Sequence, residues 1–517
     1  VRLSKMHSKP VLVTGSTGYV GGRLVPQLLS SGFRVRVLGR SISKLEAKPW
    51  AADPRVEKVQ ADVLDCESLV HATKGCWAAF YLVHSMNPQS KNFAQSDRKA
   101  AQNMVRAADR ARLERVIYLG GLGAQGSSLS EHLQSRAEVA RILRSGPVPT
   151  TFLRAAMILG SGSASFEILR YLVERLPVML TPRWVRNPVQ PIAIRNVLNY
   201  LRGCLEQEDT TGQVFDIGGP DILTYGQLMR IYAKEAGLSR RLIVPLPVLT
   251  PRLSSYWIHL VTPVPSYIAR PLAEGLRNPV VCQEDRIKEI IPQELISCQT
   301  AIRLSLDRAR DHCIETCWSD AGAIPIPEWL HCGDAPYAGG SVMESGYNIF
   351  LRAAPDEVWS VVTTLGGLTG YYFGDFLWKL RGEMDRLLGG IGLRRGRRHP
   401  ARLRSGDALD FFRVLDAKAP SLLRLLVEMK LPGEAILEFR VKSAEQGITE
   451  LQMLTKYVPR GLLGLAYWYM IYPFHRVVFR GMLEGMANAV KKPILQGPDH
   501  FSPRRPYICH VEKSGSY

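Results

Sequence analysis

The sequence predicts a doubly wound α/β fold with a parallel sheet, followed by a smaller α+β domain. Three observations carry this: β-branched runs alternate with helix-periodic stretches from residue 8 to 318, a glycine triplet occupies the first strand-to-helix turn, and the pattern changes beyond 319–341. Such alternation covers both faces of a parallel sheet with helices. In chain order, "KPVLVTG" is the first strand, "RLVPQLLSSG" a helix with an internal Pro26, and "RVRVLGR" the second strand. "KVQADV", "AAFYLVHS", "RVIYLGG" and "TTFLRAAMI" supply further strands, separated by helical segments such as "DRKAAQNMVRAADRA".

The turn after the first strand reads "TGSTGYVGG", residues 14–22. Gly15, Gly18 and Gly21 allow a tight turn, close approach to a pyrophosphate and packing of the helix on the sheet. The helix N-terminus favours the negative charge. A glycine triplet alone is weak, but here it follows a strand and opens a helix, the context a dinucleotide site requires.

Composition narrows the class. The chain has 517 residues, 46% hydrophobic and 22% charged, enough for two or three folded domains. A net charge of +19, from 66 basic and 47 acidic residues, favours anionic ligands or surfaces. No nucleic-acid module accompanies that charge, so no nucleic-acid partner is expected. Nine cysteines without framework spacing predict reduced thiols and a cytoplasmic setting. The group His312, Cys313, Cys317, His331 and Cys332 fits no zinc spacing, and no metal is expected. No secretory signal precedes the first strand, and "GLLGLAYWYMIYPF", 461–474, is short for a membrane span.

The Thr-Gly-x-x-Gly-x-x-Gly spacing, "ADVLD", "LRAAMILGSGS", "QPIAIRNVLNYL" and "GQVFDIGGPDILTYGQL" together resemble the short-chain dehydrogenase/reductase superfamily in its extended and atypical branches. The resemblance covers roughly residues 8–310. It implies a Rossmann domain over 8–318, with a substrate-pocket segment at 220–290 and cofactor contacts from Gly15, Thr17, Gly18, Tyr19, Val20 and Gly21. It further implies that Asp62 and Val63 meet the adenine and that Leu82, Val83 and His84 line the nicotinamide side. The ribose-binding acid usual after the second strand is replaced by Arg40, with Ser41 and Lys44 behind it. A cation suits a 2′-phosphate, so NADP is favoured, with NAD possible.

In "LSEHLQSRAEV", residues 129–139, His132 and Arg136 align with the superfamily's Tyr-x-x-x-Lys. Helical spacing puts Leu133, Ala137, Ala140 and Leu143 on the apolar stripe and Gln134, Ser135, Glu138 and Arg141 on the polar face. Ser128 with Glu131 offers a capping box, and Gly146–Pro147 stops the helix. The tyrosine is missing, while Arg136 can still donate to a ribose. Imidazolium beside a permanent cation is disfavoured, so His132 would be an inefficient acid. An Arg136 paired to a neighbouring acceptor, beside a core histidine, remains the plain alternative. His84 is the reserve substrate contact. The candidate catalytic set is therefore His132, Arg136 and His84.

Beyond 341, "SGYNIFLRAAPDEVWSVVTTLGG" gives a strand, then a helix near Pro355; "LRLLVEMKLPGEAILEFRVKS" and "TELQMLTKYVP" suit an antiparallel sheet, and a long helix follows from Gly461 to Lys491. This layout resembles the START-related helix-grip fold, implying a domain over 342–495 with an apolar cavity and a flexible tail at 496–517. "LWKLRGEMDRLLGGIGLRRGRRHP" resembles an uncharacterised domain fused to atypical dehydrogenase-like proteins in bacteria. The run "LRRGRRHPARLR", with six arginines, reads as a solvated loop or as a contact for anionic lipid or cofactor phosphate. The aromatic stretch at 246–272, with Tyr256, Trp257, His259 and Tyr267, reads as substrate pocket or as a structural helical hairpin. Tyr467, Trp468, Tyr469 and Tyr472 read as the gripping helix, with interfacial membrane contact as the alternative. Together these features predict an oxidoreductase for a bulky hydrophobic substrate, with peripheral contact at an anionic membrane left open. A non-catalytic NAD(P)-binding sensor or accessory protein is the competing reading. Oligomeric state is not encoded in any motif.

Overall fold

The computed structural model describes residues 9–83, 93–122, 131–246, 258, 274–275, 278–310, 342–388, 390–393, 397–444 and 447–501. The chain divides into two compact units, Val1–Ala323 and Ile324–Tyr517.

In the first unit, β1 (Val11–Val13), β2 (Val35–Gly39), β3 (Val56–Gln60), β4 (Ala78–Tyr81), β5 (Arg115–Gly121), β6 (Thr150–Ala155) and β7 (Val214–Ile217) form one sheet, ordered β7-β6-β5-β4-β1-β2-β3. Every pairing in it is parallel. The central strands β1, β4 and β5 are short, largely apolar and buried on both faces, the pattern of a helix-covered sheet, while the edge strand β3 (VEKVQ) is half exposed. On one face α1 (Gly21–Ser30) and α7 (Ile194–Glu206) pack Leu24, Leu28, Val197 and Leu201 into a shared core. On the other, α3 (Cys66–Thr73), α4 (Phe93–Ala111) and α5 (Glu131–Arg144) contribute Leu69, Met104, Val139 and Leu143. Pro26 lies inside α1, as its sequence suggests. The strand order reverses at β1, where doubly wound sheets open a crevice for ligands. A second core, beyond β6, gathers α6 (Ala164–Arg175), α8 (Tyr225–Glu235) and α9 (Cys298–Arg310) around Phe166, Tyr232 and Ile302.

The second unit is a seven-stranded antiparallel sheet. It comprises β8 (Met343–Leu351), β9 (Ala408–Leu409), β10 (Phe412–Lys418), β11 (Leu422–Val427), β12 (Gly433–Ser443), β13 (Thr449–Pro459) and β14 (Ile494–Phe501), in the order β9-β10-β11-β12-β13-β8-β14. After β8 come α10 (Pro355–Thr363) and α11 (Asp375–Leu387); after β13 comes the 30-residue α12 (Gly461–Val490). Alternate residues of the long strands, among them Tyr347, Phe439 and Met453, face Phe479, Met482 and Met486 of α12. Trp468 stacks on Tyr457, and the Tyr347 ring meets Phe479 edge-on.

Two expectations need correction here. The tail expected from residue 496 does not start there, because 494–501 is an edge strand paired with β8; residues 502–517 lie outside the described residues. The arginine run is not simply a solvated loop either. Arg397 donates to the carbonyls of Thr363, Leu365 and His399, closing the end of α10, and Arg398 pairs with Asp407 at 2.8 Å. Helix ends leave unpaired carbonyls, and a guanidinium satisfies them. Arg394 and Arg395 lie outside the described residues.

Candidate functional site

The site is built from the turn between β1 and α1. Gly15 adopts φ +68°, and a Cβ there would lie 2.6 Å from the Leu82 carbonyl oxygen, so only glycine lets this turn pass the end of β4. A Cβ on Gly21 would lie 2.3 Å from the Gly15 oxygen. Gly18 N–H donates to that same oxygen at 2.9 Å and closes the turn. Thr14 Oγ1 ties β1 to β4, donating to Phe80 O and accepting from Leu82 N–H at 3.1 Å. Ser16 Oγ donates to Leu38 O of β2. Val20 at the N-cap of α1 supplies no side-chain cap, and no acid occupies the first turn. Gly22 and Arg23 N–H already donate to Gly18 O and Val20 O, so it is the positive dipole end, with no acid beside it, that favours an anion. Thr17 lies in the same turn, and Tyr19 is half-buried beneath the Arg23 guanidinium, 4.2 Å from its ring centre.

Arg40 follows directly on β2 and is exposed, while its carbonyl accepts from Gln60 Nε2. Ser41 is the N-cap of the short helix Ile42–Glu46, in which Lys44 is buried. Beyond β3, Asp62 Oδ1 accepts from Leu64 N–H at 3.0 Å and Val63 is buried, its carbonyl held by Asn103 Nδ2 of α4. Leu82 and Val83 extend past β4 and are partly exposed. These positions gather at the carboxyl ends of β1 to β4.

Arg136 comes to the same end of the sheet from α5. Its Nη1 lies 3.5 Å from the Leu119 carbonyl of β5, and its own carbonyl accepts from the Tyr118 hydroxyl at 3.5 Å. Its Nε is buried with no hydrogen-bond partner among the described residues. Arg136 is thus paired to a neighbouring carbonyl, as the plain alternative expects, while its Nε remains available. Burial, the largest influence, raises the Tyr118 pKa, whereas neighbouring Arg136 lowers it. The stripe expected on α5 needs correction. Ser135, expected on the polar face, is 4% exposed and donates to Asp97 Oδ2 of α4, whereas Ala137 is exposed. Arg98 and Glu138 join the two helices with paired bonds of 2.9 and 3.0 Å. The α4–α5 contact thus turns the helix relative to its simplest hydrophobic reading.

His132 is in the first turn of α5, but its side chain lies outside the described residues, as do His84, the capping residue Ser128 and the cysteine–histidine group at 312–332. Of the aromatic stretch at 246–272, Ile258 is described beyond Leu246 and is buried in the second core. Ser16 and Asn103 carry no signal of these bonds in the sequence, because each acts through a backbone or helix that only the fold brings near.

The residues present fit a dinucleotide. The glycine turn would be filled by any Cβ, the start of α1 is uncapped by a side chain, and Arg136 Nε is a buried donor without a partner. Residues 15–170 match the NAD(P)H-binding family, and residues 337–482 match a family described as a protein of unknown function, DUF2867. Among curated proteins, the mitochondrial NADH-ubiquinone oxidoreductase 40 kDa subunit of Neurospora crassa is 23% identical over 253 residues, covering 48% of this chain and 66% of that protein. The ceramide reductase of Caulobacter vibrioides is 28% identical over 170 residues, 33% of this chain and 52% of that protein. The solved Citrobacter triphenylmethane reductase complexed with NADP(H) is 20% identical, covering 57% of this chain and 99% of that chain with a TM-score of 0.47. The chain spans 66% and 52% of the lengths of these two curated relatives.

Proposed function

We propose that this NAD(P)H-binding chain is an oxidoreductase that prefers NADP and acts on a bulky hydrophobic substrate. The observation that carries the reading is Arg136, a half-buried cation at the carboxyl end of the sheet whose Nε has no partner among the described residues. A buried unsatisfied donor is unfavourable by about 1–3 kcal/mol, which an incoming ribose hydroxyl or other acceptor would relieve. The glycine turn and the start of α1 would hold the pyrophosphate, and exposed Arg40 would pair with the 2′-phosphate. When bound, the nicotinamide supplies or accepts a hydride. The chain's own residues would orient it: Arg136 from α5, Leu82 and Val83 just past β4, and Asp62 and Val63 beside the adenine. The similarity to ceramide reductase supports an apolar substrate. In the same reading the second unit is a helix-grip domain, supported by its strand–helix–helix–strands–helix order and the long helix laid along its sheet.

A second reading, a non-catalytic NAD(P)-binding accessory protein, is favoured by the absence of a tyrosine at position 132 and by the similarity to the 40 kDa subunit. Titration with NADPH and NADH tests the cofactor assignment. NADPH is expected to bind about ten-fold more tightly or better, as a charge-assisted phosphate contact implies, and Arg40→Asp is expected to erase or reverse the difference. Equal affinities in the unmodified chain would refute the preference for NADP. Oxidation of bound NADPH by apolar carbonyl or quinone compounds separates the enzyme from the accessory protein.

A further inference from the structure

The second unit carries an apolar face that its own core does not use. On α11, Phe376, Leu380, Met384 and Leu387 recur at three- and four-residue spacing, with Phe376 74% and Leu387 82% exposed. Trp378, Gly382 and Asp385, on the opposite side, are the buried ones. The first half of α12 repeats the arrangement: Trp468 is buried against Tyr457, while Leu462, Tyr469, Met470, Phe474 and Val477 are each more than 60% exposed. The two helices touch through Arg381, whose Nη2 donates to the Tyr467 hydroxyl, so the exposed faces flank a shared contact. Apolar surface of this extent on a folded unit marks an interaction site.

Its charge selects the occupant. From Arg460 to Arg480 the sequence holds three arginines and no acid. Arg480 stands 18 residues, five helical turns, after Leu462, and so closes the same face. Arg476 and Arg480 are exposed and form no ion pair among the described residues. Lys379, also exposed, stands beside Leu380 on α11. A second copy would bring these cations, and a net charge of +19, against their like. Apolar and aromatic side chains with arginines at the end of the face suit the headgroup boundary of an anionic bilayer. No described helix is long and apolar enough to cross a membrane. We propose that α11 and the first half of α12 form a surface that docks on anionic membranes, lying in the interface rather than spanning it.

Flotation of the full chain with phosphatidylcholine vesicles, with and without one third phosphatidylglycerol, tests this. Binding should be strong only with the anionic lipid and should weaken in high salt. Leu380→Glu with Met384→Glu should lower the partition about ten-fold or more, with the melting curve retained because both sites are exposed. Arg476→Glu with Arg480→Glu should remove the preference for anionic lipid, again by about ten-fold. Absence of flotation, or flotation untouched by either pair, overturns the proposal. So does a dimer that Leu380→Glu with Met384→Glu dissociates in a chain that ignores vesicles, which would assign the face to a second copy.

Discussion

At the scale of single residues, substitutions at Arg136 and His132 test separate parts of the proposed function. Arg136 offers donors at the end of β5, one of them unpaired, so Arg136→Ala is expected to weaken NADPH binding by about ten-fold or more. A titration curve unchanged by the substitution would return Arg136 to a purely structural role. His132 replaces the tyrosine of the superfamily's Tyr-x-x-x-Lys and stands four positions before Arg136. His132→Ala is expected to leave most of the single-turnover hydride-transfer rate intact. A fall of about 10²-fold or more with unchanged cofactor affinity would show that the imidazole is the acid.

Among the elements, α12 carries a pH dependence of its own. His475 stacks on Phe479 and meets Trp468 edge-on, its Nδ1 buried without a partner among the described residues. Burial pushes its pKa from 6.5 down to about 3, with Arg381 acting in the same direction. The folded chain thus holds the neutral ring, while the unfolded chain takes up a proton below pH 6.5. Its contribution is complete above that value and is lost as the pH falls toward 3, by up to about 1.4 kcal/mol per pH unit. His475→Phe, which keeps the stacking, should flatten this part of the acid limb. Melting temperatures measured between pH 7 and pH 4 check it: the variant's advantage should grow as pH falls, and parallel curves would contradict the assignment.

For the whole molecule, each unit has its own core, and cofactor binding should act on the first. NADPH at a hundred times its Kd is expected to add about 2.7 kcal/mol to the unfolding free energy of that unit. Gly15→Ala should remove most of the gain, since its Cβ would fall 2.6 Å from Leu82 O at a backbone angle that alanine rarely adopts. Calorimetry with and without NADPH reads both effects. An equal shift in the variant would mean that the nucleotide does not use this turn.

The sequence by itself determined the parallel α/β sheet, the start of the second unit's strands and the glycine turn, because each rests on local signals. Hydrophobic period, glycine spacing and helix-stopping residues act within a few positions along the chain. What only the tertiary structure decided depends on which neighbours arrive. Ser135 turns inward because Asp97 of α4 waits there, and Arg397 is drawn from a basic run into the end of α10. Residues 496–501 become an edge strand because β8 offers an unpaired side. On α11, Trp378 and the Phe376–Leu387 stripe are both apolar, so periodicity alone cannot say which side meets the core. Burial is a property of partners distant in the chain, and packing chose the Trp378 side.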